Sequence, residues 1–452
     1  MRNQKGKFLL ALMLVFAMLL AACGNSETSG NSGKDGGSSD FKGDPLKAAF
    51  NGEFKGTKVT ILGPFSGPDE VKFNQSVKSF EEKTGIDIQY TNSKEFNSTI
   101  GIRVKSGNPP DIADFPQPGA LKEFAKKGQV VDVSTFLSKD YLKQQYDQSW
   151  IDISTMPGKD GEIVAGVWQR VNAKSFVWYP KDAFEAAGYE VPKTWDELMA
   201  LTKQMADDGY KPWSFGIEAG AGTGWPATDW IENIMLRTTS LENYDKWVNG
   251  ELPFTSDVVK EAFKQFSNIF MNDAYVYGGT KSIVSTNFGD APKPLFTHPP
   301  KAFMLLQGNF ITSFFPQGVT PEDFDFFVLP QMNEKYGAPL LVGGDIMAMF
   351  NDRPEVRAVM KYFTTGESLK SWIQSGGAIS PHKDSKLSWY QDPVTKKVAE
   401  KILNADAVRF DGSDSMPSSV GTGSFWEGMT DYLSGTTNLE QTLKEIQSGF
   451  KQ

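Results

Sequence analysis

Hydrophobic and polar positions alternate along Thr57-Lys-Val-Thr-Ile-Leu62, and Gly63-Pro64 follows. A period of two closed by turn residues predicts a strand. Phe73, Val77 and Phe80 then recur at i, i+4 and i+7, which predicts a helix over Asp69–Lys83 stopped by Gly85. Ile86-Asp-Ile-Gln-Tyr90 alternates again as a strand. Phe96, Ile100 and Val104 mark a second helical stripe ended by Gly107-Asn-Pro-Pro110, and Asp111–Phe115 reads as a short buried strand. Strand, helix, strand, helix, strand implies a parallel sheet in an α/β lobe. Further on, Thr194-Trp-Asp-Glu197 predicts a capping box, opening a helix that shows Leu198, Leu201 and Met205 on one face. Asp257–Met271 and Arg353–Phe363 also read as helices. The sequence shows no internal repeat and, past residue 40, no low-complexity segment or obvious linker. If two lobes exist, the chain crosses between them more than once.

The amino end follows another pattern. Arg2, Lys5 and Lys7 precede an apolar run from Phe8 to Leu20, and Leu20-Ala-Ala-Cys23 follows. A charged start, a short apolar core and small residues describe a secretory signal peptide over residues 1–22, and the run is short for a transmembrane helix. Leu-Ala-Ala-Cys resembles the bacterial lipobox, which would make Cys23 the lipid-modified, palmitate-bearing first residue of the mature chain. The alternative is a cleaved signal peptide with an incidental cysteine. Residues 24–40 are rich in Gly and Ser and lack any large apolar side chain. With Cys23 they form a tether (residues 23–40) whose Gly/Ser stretch spans roughly 20–25 Å root-mean-square. No second apolar run long enough to span a bilayer follows, so the body is expected to be soluble, extracytoplasmic and held at the outer face of the cell membrane by its lipid.

Composition narrows the chemistry. At 452 residues and 39% hydrophobic content the chain is long enough for two or three cores. The formal charge is −9, and removal of three leader cations makes the mature body more acidic still. That balance speaks against nucleic acid as a partner. A single cysteine excludes a disulfide framework and a Cys-cluster metal site; two histidines, His298 and His382, speak against a His-based metal centre. No cofactor and no metal are expected.

Ligands of open parallel sheets bind beyond the carboxyl ends of the strands. There the sequence places Gly63-Pro-Phe-Ser-Gly-Pro-Asp69, Asp114-Phe-Pro-Gln-Pro-Gly119, and a third loop from Glu218 to Trp230 that mixes glycines, tryptophans and acids. Aromatic faces beside carboxylates and amides suit a pyranose, which presents apolar C–H faces and hydroxyls of fixed direction. An aromatic at a strand end, as at Phe65 and Phe115, is more often a core lid than a ligand platform. A secreted glycoside hydrolase needs two positioned carboxylates, and 55 acids make such a pair easy to find. No nucleophile elbow and no Walker loop occur. Gly220-Ala-Gly-Thr-Gly224 is loosely dinucleotide-like, but Trp225-Pro226 is not expected to open a helix. Asp411-Gly-Ser-Asp414 lacks the later ligands of an EF-hand.

These residues, with Phe80-Glu-Glu-Lys-Thr-Gly85-Ile-Asp-Ile and Gly107-Asn-Pro-Pro-Asp-Ile-Ala-Asp114, resemble extracellular solute-binding proteins (family 1 type) of carbohydrate ABC importers. Ala113-Asp-Phe-Pro-Gln-Pro-Gly119, Val177-Trp-Tyr-Pro180, Thr223-Gly-Trp-Pro-Ala-Thr-Asp-Trp230 and Val342-Gly-Gly-Asp-Ile-Met-Ala-Met-Phe350 resemble the α-glucoside-binding branch of the maltose-binding-protein relatives. The resemblance implies a two-lobed α/β periplasmic-binding-protein fold (type II-like), its ligand cleft between lobes joined by a multi-crossing hinge. By family layout the first lobe takes residues 41–174 and 344–391, and the second takes 175–343 and 392–452. The crossings fall near Asn172–Tyr179, Val342–Asp345 and Gln391–Pro393. The implied ligand contacts are Phe65, Ser66, Asp69, Glu95, Phe115, Gln117, Arg170, Asn172, Glu218, Trp225, Asp229, Asn309, Phe310, Gly344, Asp345 and Trp426, with Trp225, Asp345, Phe115 and Arg170 foremost. Trp168, Trp178, Trp195 and Trp372 fit core or hinge packing equally. The resemblance implies a monomer that binds an oligosaccharide, an α-glucoside, by hinge closure and delivers it to ABC permease subunits. It is not an enzyme on that reading. A glycoside hydrolase and a sugar-sensing lipoprotein are the alternatives.

Overall fold

The computed structural model describes residues 41–451; the leader, Cys23 and the tether lie outside them. The expected strand–helix alternation is present. It runs β1 (Lys58–Gly63), α1 (Pro68–Thr84), β2 (Asp87–Asn92), α2 (Phe96–Lys105), β3 (Ile112–Phe115) and α3 (Pro118–Lys126). β1 pairs in parallel with β2 and with β3. Gly85, at φ 72°, ends α1 in the left-handed region that glycine adopts without strain.

The sheet is mixed rather than purely parallel. β4 (Val167–Ala173) is followed by β5 (Phe176–Pro180), α4 (Trp195–Asp207), β6 (Lys211–Trp213), α5 (Trp225–Thr238) and α6 (Asp257–Phe270). Then come β7 (Ala302–Gln307), β8 (Phe324–Val328), β9 (Leu340–Met349), α7 (Pro354–Phe363) and β10 (Val408–Phe410). The first sheet has the order β10-β9-β3-β1-β2, and β4 also pairs with β9. β9 runs antiparallel to both β3 and β4. Its return from a distant part of the chain could not be read from the first hundred residues of the body. The register of β9 against β4 shifts between Asp345 and Ile346. A second sheet has the order β8-β5-β7-β6.

Buried apolar side chains form two clusters. One covers the first sheet, with Phe73, Phe80, Ile100, Phe115, Trp168 and Trp372, and reaches onto the second through Trp178. The other lies among α4, α5 and α6 and includes Trp195, Trp213, Trp230, Phe263 and Phe266. Among the described residues no helix is long and apolar enough to cross a membrane.

Two helix starts differ from the sequence reading. The Thr194 hydroxyl does accept from the Glu197 N–H at 3.2 Å. The Glu197 carboxylate, however, takes the Lys193 N–H rather than that of Thr194, so the box closes one residue earlier. At Trp225-Pro226 a clean helix does begin, after Gly224 at φ 114°. Pro226 stands in the first turn, where its missing N–H would have had no partner in the helix.

Candidate functional site

The strand-end loops meet at a cavity of about 500 Å³, within the range of small-ligand sites. Phe65, Ser66, Asp69, Glu95, Gln117, Arg170, Asn172, Trp225, Phe310, Gly344, Asp345 and Trp426 all line it.

The floor is β4. Side chains alternate along a strand, so Arg170, Asn172 and, just past the strand, Lys174 share a face. Arg170 is buried and doubly paired: Nε donates to Asp345 at 2.7 Å and Nη1 to Asp69 at 3.0 Å. Its guanidinium lies 4.4 Å from the Phe65 ring centroid and 4.5 Å from that of Trp372. Burial pulls the guanidinium pKa down, but Asp345 and Asp69 more than offset this and hold it charged. Asp345 is pushed upward by burial, which Arg170 only partly counters. Asp69 Oδ1 and Asn172 Oδ1 are buried without a hydrogen-bond partner, although both residues line the cavity.

Lys174 ends the row. Its ammonium reaches Asp229 at 3.2 Å, Asp411, and Asp414 at 3.6 Å. Burial lowers its pKa, and the three carboxylates raise it far more, so it stays charged. Asp411 holds its charge, at about 2: burial works against it, and Lys174 prevails. Burial pushes Asp229, Asp414 and Glu232 well above the carboxylate range. Asp229, Glu232 and Asp411 stand close enough to share one cation. Lys174 already supplies a positive charge to this group, so the cluster is an internal ion network.

Aromatic rings form the opposite wall. Trp225 is half-buried, with Phe288 at 5.2 Å and Phe310 at 5.9 Å between ring centroids. At the rim, Lys94 and Glu95 approach the loop around Gly220, where an added Cβ would stand 3.6 Å from that of Lys94.

Four expected contacts do not line the cavity. Phe115 is fully buried, packed on Phe96 at 5.1 Å and on Phe124 and Phe350. Its neighbour Asp114 turns to the Tyr90 hydroxyl at 3.3 Å, and adjacent residues of a strand face opposite ways. Glu218 staples its own loop, accepting from Gly220 N at 2.8 Å and from Asn287 Nδ2. Those bonds, that of Asn287 first, hold its pKa below the usual value. Asp229 is spent on Lys174. Asn309 braces the backbone, accepting from Ala173 N at 2.8 Å and donating to Gly377 O.

The sequence reading missed Lys174, Asn97, Asn287, Phe288, Phe314 and Asp414, all of which line the cavity. Lys174 carried a signal: it continues the i, i+2, i+4 row of Arg170 and Asn172. Asp414 was weighed only as part of a calcium loop. Asn287, Phe288 and Phe314 come from irregular segments with no periodicity to read.

A family model described as bacterial extracellular solute-binding protein matches residues 66–368. The chain is 45% identical over 400 residues to the osmoprotective compounds-binding protein GgtB of Synechocystis sp., spanning 88% of this chain and 94% of that one. It is 42% identical over 394 residues to the alpha-glucosides-binding periplasmic protein AglE of Rhizobium meliloti, spanning 86% of each. Among solved structures, the bacterial solute receptor AcbH superposes with a TM-score of 0.74 at 21% identity, over 87% of this chain and 98% of the receptor. The fold is the two-lobed α/β architecture of periplasmic sugar-binding proteins, and the chain belongs to the bacterial extracellular solute-binding proteins.

Proposed function

We propose that this chain is a membrane-anchored receptor that captures an α-glucoside or a related oligosaccharide and delivers it unchanged to an ABC permease. The observation that carries this reading is the pairing of walls in one cavity. Trp225, Phe288 and Phe310 offer rings to a pyranose face. The same cavity carries a row of polar groups: Arg170 held between Asp69 and Asp345, then Asn172, then Lys174 held among Asp229, Asp411 and Asp414. A neutral, hydroxyl-rich ligand matches that surface, and a charged one would disturb the pairs. The naming of one relative for α-glucosides agrees with it. The lobes are residues 41–174 with 344–391 and 175–343 with 392–452, and they close about the crossing segments. The contacts are the cavity-lining residues named above. Asp69 and Asp345 share Arg170, an arrangement that suits binding better than the separated acid and nucleophile of a hydrolase.

Titration calorimetry over a panel of di- and trisaccharides, with product analysis of the same samples, tests the proposal. Heat from at least one α-glucoside, with the sugar recovered intact, is expected. Silence across the panel removes the sugar assignment, and hydrolysis products remove the receptor assignment. A Cys23→Ser change should move the chain from the membrane fraction to the medium.

A further inference from the structure

Lys174 has a second set of neighbours besides its carboxylates. Its Nζ lies 5.2 Å from the centroid of the Trp225 ring. The backbone of Lys174 is fixed on both sides: its N–H donates to Leu341 O at 2.7 Å, and its carbonyl accepts from Asn233 Nδ2 at 3.0 Å. Its stem passes Gly343, where an added Cβ would stand 3.1 Å from Lys174 Cε. The ammonium is tethered from two directions, by Asp229 of α5 and by Asp411 and Asp414 beyond β10. Trp225 itself is anchored at its backbone. Gly224 before it lies so close to Trp426 that a Cβ would meet the Trp426 carbonyl oxygen at 2.3 Å. The backbone leaves the tilt of the indole free, and the Phe288 and Phe310 rings and the Lys174 ammonium stand against it.

An ammonium over an aromatic ring is drawn to the electron-rich face, the more so when water is excluded. It also takes one face of the ring, so a sugar can stack only on what remains. We propose that Lys174 is a positioning residue of the ligand site, setting the plane that Trp225 presents to a stacking sugar ring. The proposal rests on the reading of the cavity as a sugar site. It assigns a ligand-directed task to a cation whose charge is otherwise consumed by the protein.

A double-mutant cycle with Lys174→Met and Trp225→Phe tests it with two readouts on the full chain. The first needs no ligand: the emission contributed by Trp225 is the spectrum with Trp225 minus the spectrum of the Trp225→Phe chain. That difference should change in wavelength or intensity when Lys174 becomes methionine, and an identical difference overturns the proposal. The second uses calorimetric affinity for the tightest-binding sugar of the panel. Lys174→Met should weaken binding about tenfold with Trp225 present and less than about threefold with Trp225→Phe, since coupled residues are not additive. Equal losses in both backgrounds overturn the positioning role while leaving the sugar reading intact. If the wild-type chain binds no sugar, the sugar reading falls and the positioning role with it, and a shifted emission difference then reports only the charge beside the indole. Should Lys174→Met fail to fold because its carboxylates lose their counter-ion, Lys174→Met with Asp411→Asn removes an anion together with the cation and carries the same cycle.

Discussion

Phe65 and Phe115 both stand at the ends of parallel strands, and only Phe65 reaches the cavity. The difference lies in their neighbours. Phe65 caps the guanidinium of Arg170, whereas Phe115 faces the core between α2 and α3. Every residue of β3 is buried, so polarity along that strand says nothing about which face meets the ligand. Phe115→Ala should therefore lower stability by about 3–5 kcal/mol with little change in the affinity of the folded fraction, as read by denaturant melts and calorimetry. Arg170→Met should strand two buried carboxylates and cost on the order of 3–5 kcal/mol. Adding Asp345→Asn should recover part of that loss in the same melts. A single Arg170→Met chain as stable as wild type would mean the pair contributes nothing.

The helices and first strands were legible because their apolar positions repeat. Phe73, Val77 and Phe80 lie buried on one side of α1 as their spacing requires. β4 shows the limit of that signal. All of its residues are buried, polar and apolar alike, because it is a strand of the first sheet with the apolar core on one face and the ion pairs of Arg170 and Lys174 on the other. Hydrophobicity could not separate its two faces; the alternation of Arg170, Asn172 and Lys174 could. His382 ties this strand to α7. Its Nε2 faces the carbonyls of Phe363 at 2.9 Å and Trp168 at 3.2 Å, which can only accept. Nε2 therefore carries a proton, while Nδ1 meets the Ser380 hydroxyl at 2.8 Å. Burial depresses its pKa from 6.5 to about 4, despite Asp384 nearby. The folded state resists protonation and the unfolded state does not. Stability is thus full above pH 6.5 and falls as pH drops toward 4, by on the order of 3 kcal/mol from this group. A His382→Asn chain should show a shallower dependence of melting temperature on pH over that interval. An unchanged slope would assign the acid sensitivity to carboxylates instead.

The whole molecule was legible as two lobes chiefly through resemblance; the chain has no linker to announce a boundary. The long strand β9 explains why. It pairs with β3, with β4 and with β10, and all of its residues are buried, so the expected crossing at Val342–Asp345 reads as sheet and core. Closure should still be measurable. Spin labels on cysteines replacing Ile102 and Tyr210, both exposed, in a Cys23→Ser background, should give a longer and broader distance distribution without sugar than with it. One distribution in both conditions would count against hinge motion.

The loop Ala219-Gly220-Ala221-Gly222 forms part of the cavity wall and carries almost no side chain. A Cβ on Gly222 would make only ordinary contacts, the nearest at 3.4 Å, and Ala221 is exposed. At Ala221 and Gly222 larger residues can therefore enter without disturbing either core or the ion network, whereas Gly220, at φ 62°, disfavours any side chain. That separates two kinds of position: the floor side chains are held by ion pairs and hydrogen bonds, while those of Ala221 and Gly222 have none to lose. Added side chains at Ala221 and Gly222 would trim the cavity from this side and leave the ion pairs beneath it in place.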